Sequence, residues 1–471
     1  MSETISEMIL PGTYIEVRSE GLIGVSGIAT GNVGIVGTAS KGPVREVQIL
    51  GSYAEALDMF GSYDRFSTEQ NAVPLTLVRA LEQVFKGGGS TIYAARIANG
   101  APASATWIVK GEPPPNQPAP ELIVLTAVSA GSWANSAVVT LSADKKTIDV
   151  VLGRQKESFS GANVKELAAA INLGSRIVTS SVPAAANENS LPDRIDTGTQ
   201  GSNGENATAT DVNDGLTLLA NQPVNLVVVA GMSAKVVGAT VLAHLEATEN
   251  DGRERLAVLG ASSDQVATIN SDDVTKLGNA RAILVAPGIV ADDSARVGEA
   301  DKSVDLPAAY AAALVAGRLA TLAPHVSLTN KNVAADDLTR EYTRAEQKNL
   351  LNNRVLVLQK NLGIRVLKGV TTDDAAFRQI SVRRIVDYAK SGVRIGSNPY
   401  IGCLNNSRVR AALKATLDGF LSGMVLDEML VAYKLDVSAT RAQEINGQAI
   451  VTMTLQPTFS IDFVKVIMNL E

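Results

Sequence analysis

The sequence predicts a multidomain α/β protein: a mixed or parallel sheet core, an inserted β-rich domain, an α+β C-terminal domain and extended arms at both ends. Three observations predict it. Apolar runs at 225–230, 256–260 and 282–286 alternate with amphipathic helical stretches, the pattern of a parallel sheet covered on both faces. A block of different texture precedes them, with a proline-rich stretch, GEPPPNQPAP, at 111–120. From Gly447 onward the chain alternates apolar Val451, Met453 and Leu455 with polar Thr452, Thr454 and Gln456, a half-buried strand pattern.

Length sets the scale. At 471 residues the chain exceeds one core. The expected divisions are an N-terminal arm over 1–20, an α/β core over 21–98 and 207–340, and an inserted β-rich domain over 99–206. An α+β domain over 341–446 and a C-terminal strand arm over 447–471 follow.

In chain order, residues 8–17 (MILPGTYIEV) read as an extended arm, because Pro11 cannot donate to a ladder. Its anchors are Ile9 and Tyr14, with Ile15 beside them. Gly21, Gly24, Gly27, Gly31, Gly34 and Gly37 recur every third or fourth residue. Their spacing is not the dinucleotide fingerprint G-x-G-x-x-G, and closely packed backbone is the simpler reading. Strands are expected at 33–39, 44–50 and 91–97, with a capped short helix from Ser52 and a longer helix over 73–85. Gly87, Gly88 and Gly89 end that helix, so they resemble a phosphate loop only superficially.

In the inserted block, strands at 122–128, 137–143 and 147–152 include a hairpin turning at 144–146, a short helix covers 164–171, and 182–209 reads as loop. The second α/β stretch carries helices near 233–245, 263–277 and 306–322. The loops at 260–263 and 287–288 lack a glycine fingerprint. Beyond 340, a charged helix over 340–350, strands at 355–359 and 364–368, two helices and a strand at 431–439 lead to the terminal arm. That arm resumes after Pro457 with Phe459, Ile461 and Phe463, then shifts parity to Val464, Val466, Met468 and Leu470. A strand apolar on both faces needs cover on both, from its own sheet or from a neighbouring copy.

Composition narrows the function. A net charge of −6 gives no reason to expect nucleic-acid binding. Aromatics at 4% argue against a stacking platform for bases or sugars. Cys403 is the single cysteine, which excludes an internal disulfide or cysteine metal cluster, and it reads as a small buried hydrophobe. The two histidines, His244 and His325, read as structural or solvated; no catalytic or metal constellation and no cofactor site is expected. Glu3 and Glu7 without a basic region argue against a secretory signal. The apolar run 306–323 is interrupted by Arg318, so no membrane insertion is expected.

Several stretches together resemble contractile phage tail sheath proteins. They are Pro11-Gly12-Thr13-Tyr14, VGIVGTASKGPV at 33–44, Phe60-Gly61, FKGGGSTIYAAR at 85–96, FRQISVRR at 377–384, 400–405 and 413–423. The likeness covers most of the chain except the inserted block, and 341–446 becomes the C-terminal sheath domain.

The resemblance implies a homo-oligomer of stacked hexameric rings in a helical tube around an inner tail tube, with baseplate and tail terminator proteins as further partners. It places the protein in a virion tail, assembled in the host cytoplasm. It also implies arms that add strands to an adjacent subunit: Ile9, Tyr14 and Ile15 at one end, and Val451, Met453, Leu455, Phe459, Ile461, Phe463 and Val466 at the other. Gly21, Gly24, Gly27 and Gly447 would be the hinges. Arg340, Glu341, Arg344 and Glu346 are candidates for lateral contacts that change on contraction. The alternative is a nucleotide-binding α/β enzyme or a nucleotide-dependent assembly protein.

Overall fold

The computed structural model describes residues 28–67 and 74–469. The expected arm residues Ile9, Tyr14 and Ile15, the glycines Gly21, Gly24 and Gly27, and Leu470 lie outside the described residues. The described residues form two units, one within 31–321 with 330–374, the other of 28–30, 322–329 and 375–469.

The larger unit is built on an eight-stranded sheet. Its strands are β1 (Val33–Gly37), β2 (Val47–Leu50), β3 (Ile92–Arg96), β4 (Leu226–Ser233), β5 (Leu256–Gly260), β6 (Ala282–Ala286), β7 (Leu356–Lys360) and β8 (Ile364–Val366). They lie in the order β8-β7-β6-β5-β4-β1-β3-β2. The central pairs from β7 to β3 are parallel, and the pair at each end is antiparallel. Every residue of β1, β3, β5 and β6 is buried. Successive side chains point to opposite faces, so complete burial means both faces are covered.

Four helices do the covering: α1 (Leu77–Gly87), α2 (Ala209–Leu219), α3 (Ala234–Asn250) and α4 (Ala308–Ala320). Val212, Leu216, Val237 and Val241 of α2 and α3 join one core with Val227, Val229, Ala257 and Leu259 of the sheet. Helix α4 is nearly all small and apolar, and it approaches α1 until backbones almost touch. A Cβ on Gly317 would lie 2.1 Å from the carbonyl oxygen of Val84. Any side chain there forces the helices apart.

The sequence places 355–368 in the C-terminal domain; the structure puts it in this sheet. The reason is the wholly buried start of β7, which pairs with β6 through Leu356 and Val357. The larger unit therefore runs to 374 rather than 340. The helix expected over 263–277 is broken into a short α turn, a π turn at Ile269–Asp273 and a 3-10 turn at Val274–Lys276. Asp273 is fully buried, and its Oδ2 accepts from the Ser262 N–H at 2.9 Å and hydroxyl at 2.8 Å. That side-chain bond holds the backbone out of regular helix.

The inserted block has its own core, including Trp107, Val109, Leu125, Ile148, Leu167 and Ile171. A four-stranded antiparallel sheet orders Arg194–Thr197, Thr106–Lys110, Glu121–Ala127 and Val178–Ser181 side by side. A three-stranded meander contains the expected hairpin, Val138–Leu141 with Thr147–Leu152, and adds Gln155–Ser160. The strand at Arg194–Thr197 falls where sequence suggests only loop, since its alternation is too short and polar to register.

The smaller unit contains α5 (Ile380–Ser397), α6 (Ser407–Leu426) and two strands, β9 (Leu430–Ser438) and β10 (Ile450–Pro457). Among the described residues, no helix is long and apolar enough to cross a membrane.

His244 lies buried on α3 with Nε2 3.1 Å from the Arg255 guanidinium. Arg255 in turn donates to the carbonyls of Leu219 and Ala220 at the end of α2. Burial, with Arg255 adding to it, lowers the His244 pKa to about 4. The folded state thus holds neutral imidazole while the unfolded chain protonates near pH 6.5. Stability from this site is complete above that pH and lost as pH falls towards 4. Melting temperature should drop across this window, and His244→Gln should flatten that part of the pH profile.

Candidate assembly surface: the C-terminal hairpin and arm

Helices α5 and α6 form the base of the surface. Asn406 caps α6, its side chain accepting from the Val409 N–H. Leu413, Leu417, Leu421 and Met424 face inward along it. On α5, Ile385 and Ala389 share that core, and Tyr388 stacks on Phe420 with ring centroids 5.8 Å apart.

Arg384 fixes the far side of α5. It is buried, and its guanidinium donates to the carbonyls of Leu322 at 2.8 Å, Ala323 at 3.2 Å and Thr30 at 3.1 Å. Burial lowers its pKa to about 10, which still leaves it charged at neutral pH. Its neighbour Arg383 pairs with Asp387 one turn on and lies 4.2 Å from the centre of the Phe377 ring.

The hairpin lies on this base. β9 and β10 pair antiparallel from Leu430 opposite Pro457 to Ser438 opposite Ile450. Tyr433, Leu435, Met453 and Leu455 face the helix core. Lys434, Asp436, Thr452, Thr454 and Gln456 are exposed on the other face. The Tyr433 hydroxyl reaches Ser422 at 2.7 Å and Asp418 at 2.7 Å, tying β9 to α6. At the far end, Arg410 pairs with Glu444 at 3.0 Å, and the Asn405 amide donates to the Gln448 carbonyl at 2.9 Å.

This sheet has two strands among the described residues. Each strand therefore has one outer edge of backbone N–H and C=O groups with no ladder beside it. The chain continues from β10 over 458–469 without regular secondary structure. Thr458 donates to the Met429 carbonyl at 3.0 Å. Asp462 accepts from Gln379 at 3.1 Å and from Thr329 at 3.4 Å, which fastens the arm at its root. Around and beyond that clamp the arm exposes apolar side chains: Ile461 is 83%, Phe463 84% and Met468 84% accessible.

The structure splits the residues that the sequence groups as one arm. Val451, Met453 and Leu455 are in β10 and pair within their own chain. Phe459, Ile461, Phe463 and Val466 are in the segment after it and exposed. Gly447, at φ +69°, sits in the connection inside the hairpin, so the arm departs after Pro457 rather than at this glycine. The cause is the register of β10, which closes its ladder on β9 over eight residues. The clamp of Thr329, Gln379 and Asp462 left no signal in sequence, because its members are 83 and 133 residues apart.

Two further expectations change. Cys403 is exposed in the α5–α6 connection rather than buried. Of the four charged residues near 340, Arg340 and Glu346 bond to each other at 2.6 Å, and Glu346 also caps its own helix. Glu341 lies 3.7 Å from Lys360.

The comparisons with known proteins match this surface and the sheet before it. Residues 205–372 match the phage tail sheath protein central domain, and 372–471 match the phage tail sheath C-terminal domain. The chain belongs to the phage tail sheath family. The change of domain at 372 falls beside the end of the larger unit at 374.

A tail sheath protein of Bacillus phage SP01 is 26% identical over 229 residues, which is 47% of this chain and 39% of that one. The match thus spans well under half of that relative. A sheath tail protein from Desulfitobacterium hafniense shares the fold with a TM-score of 0.63 at 18% identity, covering 95% of this chain and 100% of the other. One from Listeria innocua gives 0.65 at 15%, over 92% and 93%. The helical sheath of the anti-feeding prophage in its contracted state gives 0.58 at 14%, over 98% and 99%.

Sheath proteins are structural, and this chain is not an enzyme. The nucleotide-binding alternative gains no support, and the fold supplies a physical reason. At the carboxyl edge of the sheet, the backbone N–H groups of Ser262 and Gly288 already donate to the protein's own Asp273 and Asp264.

Arg384→Met should remove the donor shared by three part-buried carbonyls, Thr30, Leu322 and Ala323, and loosen the segments it joins. Amide exchange across 322–329 and α5 should accelerate by at least tenfold in this variant, with the eight-stranded sheet unchanged. Arg384→Lys should recover only part of the protection, since one ammonium cannot reproduce the planar fork.

Proposed function

We propose that this chain is the structural subunit of a contractile tail sheath, polymerising as stacked hexameric rings around an inner tail tube. Neighbours are joined by strand addition: the arm over 458–469 of one subunit lies along an outer edge of the β9–β10 hairpin of the next. The other edge is left for the N-terminal arm of a further copy, through Ile9, Tyr14 and Ile15. The observation that carries this reading is the pairing of two incomplete elements in one small unit. A two-stranded hairpin has unladdered edges, and a neighbouring arm of exposed Phe459, Ile461, Phe463 and Val466 has side chains to bury.

Magnitudes indicate why both parts are needed. Burying an apolar side chain contributes about 1.5–3 kcal/mol. Ordering each arm residue costs about 1–2 kcal/mol in backbone entropy. These nearly cancel, so side-chain burial alone gives a weak joint. The new ladder of main-chain bonds, closed where two edges were open, decides the balance. A two-stranded sheet that becomes three- or four-stranded also passes from marginal to independently stable.

Such a joint does not depend on which flanks of the subunits touch. Subunits can then turn as rigid bodies while the arms stay attached, with Gly21, Gly24 and Gly27 absorbing backbone rotation at one end. At the other end the flexible point lies beyond the Asp462 clamp. Contraction exchanges one set of lateral contacts for a more favourable set, with free energy stored during assembly and no nucleotide consumed, and drives the tube through the target envelope. Solved relatives described as sheath complexes in contracted state are consistent with this cycle. Arg344 and Glu341 remain candidates for changing contacts. The inner tube protein, a baseplate and a tail terminator are the proposed partners, in a virion or injection-device tail assembled in the producing cell.

Deleting everything after Pro457 should give a monomer with unchanged circular dichroism that no longer forms tubes in negative-stain micrographs. The triple change Phe459→Asp, Ile461→Asp and Phe463→Asp should have the same effect. Normal striated tubes from either protein would rule out the arm as the connector.

A further inference from the structure

We infer that Arg96 is a buried pin that locks the inserted domain to the α/β core, so that the two turn as one rigid piece. The starting point is an arginine with no carboxylate partner among the described residues, at the end of the strand next to the sheet edge. Arg96 closes β3 and is fully buried. Its Nη1 donates to two carbonyls from different parts of the fold: Gly42 of the core at 2.6 Å and Ala130 of the insert at 2.7 Å. Nε and Nη2 have no hydrogen-bond partner among the described residues. A desolvated cation held by carbonyls alone is a costly arrangement, and a surface loop does not need one. What it accomplishes here is to bridge two domains at a single point.

The surrounding contacts close the same joint. The Gly42 N–H donates to the Ser129 hydroxyl at 3.1 Å, and the Trp133 N–H reaches the Ser40 carbonyl at 3.4 Å. The Lys41 ammonium lies 5.1 Å from the centre of the Trp133 ring. At Gly131 the two backbones are so close that a Cβ would lie 1.8 Å from the Ser40 carbonyl oxygen. Segment 40–42 of the core and segment 129–133 of the insert are thus interleaved around one guanidinium.

Beside this joint the two domains separate. A cleft of about 520 Å³ opens between them, with Asp58, Gly61 and Ser62 on the core side and Leu152, Gln155 and Arg176 on the insert side. A domain fastened beside an open cleft can pivot about its connections unless the fastening is rigid. The stretches that enter and leave the insert meet in isolated bridges at Asn99 with Glu205 and Ala103 with Ser202, and Asn203 with Ser132 and Asn135 with Gly201 tie them to the same segment of the insert. To these the pin adds a buried bond from one guanidinium to both domains, and loss of it leaves only polar surface contacts to resist pivoting. In a sheath, it means that any rotation of the core is delivered in full to the outer face of the insert. This last step rests on the sheath reading; the rigidity itself does not.

The test uses the full chain in a Cys403→Ser background. Spin labels at Arg154→Cys in the insert and Asp251→Cys on the core report the distance between domains, with labelled protein diluted in excess unlabelled chain. The parent should give one narrow distance distribution. Arg96→Met should at least double its width, and amide exchange over 40–45 and 129–136 should rise by tenfold or more while the sheet of the insert stays protected. Gly131→Val keeps the charge but wedges the two backbones apart beside it, and should broaden the distribution as well. A broad distribution in the parent, or a narrow one in both variants, would overturn the proposal. Neither outcome depends on whether the protein forms tubes.

Discussion

The rest of the smaller unit depends on one constraint: a backbone edge of a β-strand must find partners. β9 and β10 satisfy each other on their inner edges only. Their apolar face is covered by α5 and α6, so the unit is stable enough to exist as a folded base. Its outer edges are not covered, and the chain leaves it as an apolar segment. A fold that stops in this way is complete in its packing and incomplete in its hydrogen bonding. In the proposed assembly a neighbouring copy supplies the second without disturbing the first.

The larger unit answers a different need. Its parallel sheet is buried on both faces, and α1 and α4 meet almost backbone to backbone at Gly317. The charges it buries are each used to fasten separate segments. Arg79 is held by Asp293 at 3.4 Å and by the Asp64 carbonyl at 2.8 Å, with the Tyr63 ring 4.0 Å away. Arg281 grips Glu249 through two bonds of 2.6 Å. Arg255 and Arg96 bind carbonyls. Interiors fastened in this manner are poor at gradual deformation and good at moving as blocks. The proposed contraction by subunit rotation would need that property in the body and the opposite property in the connectors.

Much of this was legible in the residues. The apolar runs at 225–230, 256–260 and 282–286 became β4, β5 and β6, because a strand covered on both faces has no polar positions to disguise it. The hairpin at 137–152 and the Ser52 cap were readable for local reasons: turn chemistry and capping act over two to four residues. The π turn at Ile269–Asp273 was not, since it depends on a bond from Asp273 to Ser262 across a loop. Nor was the strand at Arg194–Thr197, which is a strand because Thr106–Lys110 lies beside it.

The alternation of Val451, Met453 and Leu455 by itself determined that the chain ends in extended, half-buried structure, and the motifs determined its family. Whose sheet that strand would join was a matter for tertiary structure alone. Period-2 patterning states that one face is covered and says nothing about the edge, because side chains carry the pattern and the backbone carries the pairing. Only the folded chain placed β9 beside β10, moved the start of the arm past Pro457, and set Asp462 against Gln379 to aim it.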